Sequence, residues 1–147
     1  MTVFSRIIEG SIPGRFVWAD DVCVVFATIE PVRPGHVLVV PRQEVPAWTG
    51  LSSEVAAHLM AVAQIVGRAQ LEVFECERIG LTIAGFEVPH THLHVIPLRS
   101  EADLSLSNAQ SVSEHILEST MSALRSQLDK DGHGDNVPVT IDSPDLD

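Results

Sequence analysis

Residues 89–98, PHTHLHVIPL, constrain the fold of this chain more than any other stretch. Three histidines alternate with Thr91, Leu93 and Val95, and a period of two sorts residues onto opposite faces only in an extended strand. His90, His92 and His94 therefore share one face. The other face reads as core and needs an apolar element laid across it. Residues 52–76 supply one: Val55, Leu59, Val62, Val66 and Val73 recur at helical spacing behind Ser52, a good N-cap.

The remaining elements follow from similar patterns. VFSRIIEG places Phe4, Ile7 and Ile8 at helical spacing, with Gly10 as a stop. RFVWAD, VCVVFAT and HVLVVPR are short β-branched or aromatic runs, broken by Asp20-Asp21 and by EPVRPG, which predicts an antiparallel meander. RIGLTIAG and HTHLHVIPL add two strands joined by FEVP. Ser111-x-x-Glu114 reads as a capping box that opens a helix to Leu128, with Val112, Ile116, Ala123 and Leu124 on one side. The prediction is an α+β layer of about five antiparallel strands with one long helix, a short N-terminal helix and a C-terminal helix.

At 147 residues the chain fits one domain, assigned to 1–128, with 129–147 as a flexible acidic tail. That tail holds Asp129, Asp131, Asp135, Asp142, Asp145 and Asp147 against Lys130, a large share of the formal charge of -11. Such an acidic balance argues against a nucleic-acid binder. No apolar run is long enough for a membrane span, and the N-terminus lacks the pattern of a secretory signal, so a cytoplasmic protein is expected. Cys23 and Cys76 form no C-x-x-C pair and read as packing residues. His58 and His115 read as surface residues, and His133 has no evident chemistry.

Three same-face imidazoles have three readings. They are ordinary surface or core residues; or they hold zinc or copper, with Glu87 as the one nearby carboxylate; or one attacks phosphorus while a second protonates the leaving group. Neutral imidazole is a competent nucleophile near neutral pH, and the last reading needs at least two side by side.

The run His90-Thr91-His92-Leu93-His94-Val95-Ile96 resembles the H-x-H-x-H-x-x signature of the histidine triad (HIT) superfamily of nucleotidyl hydrolases and transferases. VFSRIIEGSIPGRFVWADDVCVVF resembles the family's opening helix and strands, and EPVRPGHVLVVPR its loop and strand with a fourth histidine, His36. The likeness covers about residues 3–99.

The resemblance implies a HIT-like fold and a metal-free, cofactor-free hydrolase of nucleoside phosphoramidates or dinucleoside polyphosphates. His92 would attack the α-phosphorus and form a nucleotidyl-imidazole that water cleaves, its other ring nitrogen held by a backbone carbonyl that fixes the tautomer. His94 would assist the leaving group, and His90 and His36 would orient the cluster. Phe4, Ile7, Ile12, Phe26 and Ile29 match the lining of a purine pocket, and a homodimer joining two five-stranded sheets is expected. The chain departs from the family pattern upstream of the triad, and these departures keep a nucleotide-binding module with little turnover as the rival reading. Where many relatives have A-G-Q-[S/T]-V-x-H, AGFEVPH carries Phe86 and Glu87, and Thr28 stands where a ribose-binding Asp is common. GLTIAG also takes the place of an Asn-bearing loop. Backbone amides around 86–94 are candidates for an oxyanion hole, and Arg99 for a phosphate or partner contact.

Overall fold

The middle strands of this chain are unbroken apolar runs because both faces of their sheet are covered. A computed structural model describes residues 1–147. In chain order it contains α1 (Val3–Glu9), β1 (Phe16–Ala19), β2 (Cys23–Ala27), β3 (Val37–Pro41), α2 (Ser53–Val73), β4 (Arg78–Thr82), β5 (Leu93–Leu98) and α3 (Glu114–Leu128). The five strands form one antiparallel sheet in the order β1-β2-β3-β5-β4, so the expected α+β architecture is the observed one.

Every residue of β2 and β3 is buried. Cys23, Val25, Ala27, Val37 and Val39 pack with Leu93 and Val95 under α2 and α3. Val24, Phe26, Leu38 and Val40 turn the opposite way, toward Phe4 of α1. A register shift between Phe16 and Trp18 lets both Val17 and Trp18 join the helix-side core, as a bulge permits.

α2 begins where predicted: the Ser52 hydroxyl accepts the Val55 N–H at 3.2 Å. Leu59, Val62, Ala63, Val66 and Ala69 form its buried stripe, each large apolar side chain contributing about 1.5–3 kcal/mol by leaving water. The helix stops at Val73, short of the predicted 76, because Phe74 turns extended and sets its ring against Gly35. Gly35 has φ +89°, and a Cβ there would run into the Phe74 ring, so both conformation and space demand glycine. Gln70, fully buried on α2, donates from Nε2 to the carbonyls of Gly35 (2.9 Å) and Val95 (3.1 Å). One side chain thus ties the long helix to the loop before His36 and to the strand bearing His94.

Two expectations are corrected. α3 is capped by Ser113, whose hydroxyl accepts the Ile116 N–H at 3.2 Å, and not by Ser111. The helix accordingly turns Leu117, Met121, Leu124 and Leu128 inward, leaving Ile116 and Ala123 exposed. Residues 129–147 are not a free tail, because β1 is an edge strand with backbone groups to satisfy. Phe16 N–H donates to the Ile141 carbonyl at 2.7 Å, Asn136 Nδ2 to Ala19 O at 3.0 Å, and Arg125 Nη1 to Phe16 O at 2.9 Å. Arg125 also grips the Pro138 carbonyl at 2.6 Å. No helix is long and apolar enough to cross a membrane.

Replacing Gln70 with Leu keeps the volume but removes the two hydrogen bonds that join α2 to Gly35 and Val95. The expected loss is about 1–3 kcal/mol of stability, read as a lower urea midpoint at unchanged slope.

Candidate active site

The β5 ladder starts at Leu93, so only His94 of the triad lies in it, opposite Leu38 on β3 and Thr82 on β4. His90 and His92 occupy the extended approach. That approach is held by Thr91, whose N–H and hydroxyl both donate to the Val45 carbonyl at 2.8 Å. Thr91 is therefore pinned to the loop after β3 and does not pack beneath α2. The three rings do share the α1 side of the sheet. Phe4 meets His90 and His92 edge-on at centroid distances of 5.8 and 4.8 Å, and His92 meets His94 at 4.9 Å.

Each ring is oriented by groups whose hydrogen-bonding role is fixed. A carbonyl only accepts, so His92, with Nδ1 2.7 Å from His90 O, carries its proton on Nδ1 and presents the Nε2 lone pair. His90 likewise donates from Nε2 to Pro41 O at 2.8 Å, leaving Nδ1 to accept from the Thr2 hydroxyl at 2.8 Å. A backbone N–H only donates, so the Val32 amide, 3.0 Å from His36 Nδ1, places the His36 proton on Nε2. That proton faces His94 Nδ1 at 3.0 Å, which leaves His94 with its own proton on Nε2. The network thus sets a nucleophilic nitrogen on His92 beside an N–H on His94.

Burial favours the neutral form of His36, His92 and His94. It pushes His36 down to about 3 and His94 to about 4, with the neighbouring His94 and His92 adding to each shift. His92 is lowered chiefly by burial, against the raising influence of its bond to His90 O and of the Glu87 carboxylate.

The predicted pocket residues separate into two groups. Phe4 and Phe26 are buried together, their rings 5.6 Å apart, with Ile7 packed on the same cluster. Ile12 is half-buried past the end of α1, and Ile29 is 70 % exposed just beyond β2. The Thr28 hydroxyl accepts the Glu30 N–H at 3.3 Å, closing a turn there. Phe86 is 98 % exposed and Glu87 is exposed, both following Gly85 at φ +84°.

The sequence reading missed Thr2, Glu44, Gln70 and the carbonyl of Pro41, whereas the backbone carbonyl expected behind His92 is that of His90. Thr2 was findable as the N-cap of α1, where its hydroxyl accepts the Ser5 N–H at 3.1 Å. Its contact with His90, 88 residues away, carries no sequence signal.

The donor sets do not suit a metal. Both His90 nitrogens and Nδ1 of His92 and His94 are engaged, so the triad offers two free nitrogens and not three. A second cluster, Asp20, Cys23 and His58, brings its ligand atoms within 4.8 Å of one another. Asp20 Oδ2 already sits 2.8 Å from the Trp18 indole N–H and 2.7 Å from His58 Nε2, and burial pushes the Cys23 thiol far up. It is a hydrogen-bonded knot at the β1–β2 turn, and it gives His58 a half-buried structural place.

A family model for the HIT domain matches residues 9–101. The chain belongs to the histidine triad family. A HIT-like protein of Synechocystis is 33% identical over 65% of this chain and 88% of its own length. The asymmetrical bis(5'-nucleosyl)-tetraphosphatase of Schizosaccharomyces pombe is 32% identical over 69% of this chain, which spans only 57% of that enzyme. Among solved structures, a zinc-bound histidine triad protein from Mycobacterium smegmatis superposes with a TM-score of 0.77 at 27% identity, covering 90% of this chain and 96% of its own. The HIT family thus includes nucleotide hydrolases.

The lowered His36 and His94 make stability depend on pH with a definite sign. Above the unfolded value of 6.5 neither state binds the extra proton and stability is flat. As pH falls from 6.5 through about 4, the unfolded chain protonates first and stability drops. Urea midpoints of the wild type should therefore fall over that range, and less steeply in His36→Gln.

Proposed function

We propose that this protein is a nucleotidyl hydrolase working through His92, with nucleoside phosphoramidates or dinucleoside polyphosphates as the substrate class and no metal. The observation that carries the reading is the pairing of a bare His92 Nε2, set by the His90 carbonyl, with the N–H of His94 Nε2, set by His36 and through it by the Val32 amide. His92 Nε2 forms a bond to the α-phosphorus as the bond from phosphorus to the leaving atom breaks. The leaving atom keeps that electron pair and takes the His94 Nε2 proton. Water then attacks phosphorus, the P–N bond breaks with its pair returning to His92, and the water's proton restores His94. The His90 carbonyl, 2.7 Å from Nδ1, supports the positive charge that grows on the His92 ring.

Family likeness and the apolar cluster of Phe4, Phe26 and Ile7 beside His90 and His92 support a purine nucleotide as the bound group. Thr28 offers a neutral hydroxyl toward the ribose. Phe86 and Glu87 stand at the mouth of the site, where a carboxylate disfavours a polyanionic leaving group and favours a neutral or cationic amine. A homodimer built on the unpaired β4 edge, in a cytoplasmic setting, belongs to the same reading.

A phosphoramidate of AMP or GMP should be cleaved equally with and without chelator. His92→Ala should abolish turnover, and His94→Ala should accumulate or slow the nucleotidyl adduct, visible by intact mass. Glu87→Gln should raise the rate on dinucleoside polyphosphates relative to amine phosphoramidates; an unchanged ratio removes Glu87 from substrate choice. Chelator-sensitive turnover would replace the covalent reading with a metal one.

A further inference from the structure

Outside the four histidines, the most connected polar group on the α1 side of the sheet is the Thr2 hydroxyl. It accepts the Ser5 N–H at 3.1 Å and stands 2.8 Å from His90 Nδ1. Because His90 Nε2 faces the Pro41 carbonyl, the ring is protonated there and Nδ1 is bare, so Thr2 donates to it. Thr2 is in turn fixed by its own N–H, 2.6 Å from Glu44 Oε1, an oxygen that also receives the Ser5 hydroxyl at 2.8 Å. The next bond in the series runs from His92 Nδ1 to the carbonyl of His90. The N-cap of the first helix therefore reaches the nucleophile through one intervening residue.

We infer that Thr2 is a positioning residue for His92: its hydroxyl locks the His90 ring, and the locked residue holds the carbonyl that orients His92. Thr2 touches neither substrate nor reacting atoms in this scheme. His90 is fully buried, so losing the hydroxyl leaves Nδ1 without a partner in a place water reaches poorly. The ring then shifts from its seat on Pro41 O, the His90 carbonyl moves with it, and Nε2 of His92 loses alignment. Phe4, two residues along from Thr2 on α1, lies edge-on to both rings and transmits the same loosening. The kinetic part of this inference rests on the nucleotidyl hydrolase reading; the structural part does not.

The test compares full-length wild type, Thr2→Val, which keeps the shape without the hydroxyl, and Thr2→Ser, which restores it. Ring nitrogens of His90 and His92 are followed by 15N NMR, and kcat and KM are measured on an AMP phosphoramidate. Thr2→Val should change both sets of ring signals and lower kcat about tenfold, the kinetic equivalent of one hydrogen bond, with KM little changed. Thr2→Ser should restore signals and rate. Unchanged ring signals in Thr2→Val, or an equal loss of kcat in Thr2→Ser, would overturn the assignment. If wild type turns over no nucleoside phosphate derivative, the hydrolase reading fails alone, and the ring signals still decide for or against Thr2.

Discussion

An imidazole removed from water has two nitrogens that each need a partner of the right kind, and this requirement organises the protein. His36, His90 and His92 are all buried, and three of the contacts that fix their protons are with main chain: Val32 N–H, Pro41 O and His90 O. Main-chain groups neither rotate nor titrate, so they impose tautomers that a side-chain partner would leave negotiable. Of these groups only Pro41 O belongs to a strand; Val32 N–H and His90 O lie in the loops that lead into β3 and β5, and the pairing of those strands holds the two loops side by side. The geometry of the histidine cluster is thus set by backbone placement before it is set by any side chain.

The same requirement accounts for the supports around the site. Gln70 bridges the loop ahead of His36 and the strand of His94, so one amide from the far side of the sheet steadies both members of the relay. Gly35 accepts the Phe74 ring and lets the loop approach α2 closely enough for that bridge. On the other face, α1 brings Phe4 to the rings and Thr2 to His90. A neutral cluster with no ionic partner is thereby kept rigid by hydrogen bonds from three directions.

Much of this fold could be read from residue patterns because each strand or helix announces its buried face. The stripe of α2 and the breaks at Asp20-Asp21 and Pro31–Gly35 place their elements correctly, and the alternation at 90–95 finds the shared face of the histidines although the β5 ladder begins only at Leu93. α3 was misphased because Ser111 and Ser113 both make acceptable caps, and only packing of Leu117 and Met121 decides between them. The packed 129–147 segment was missed for a related reason: its Gly, Pro and Asp content signals no regular element, and it orders by satisfying β1. Within the site, the histidines are visible as side chains and a backbone carbonyl behind His92 is expected, but neither Pro41 O nor the identity of His90 O is legible, since every residue carries a carbonyl. Thr2 could be named as a cap but not as a neighbour of His90.

The segment that closes β1 also gives the two margins of the sheet different fates. One margin is sealed by the chain's own Ile141, Arg125 and Asn136, while β4 at the other has no neighbouring strand. A sheet that exposes both margins can recruit copies without limit; one with a single open margin can accept one added strand and then has nothing left to offer. Growth by strand addition is thus self-terminating in this molecule, and the segment past Leu128, through Asn136 and Ile141, forms part of the stop.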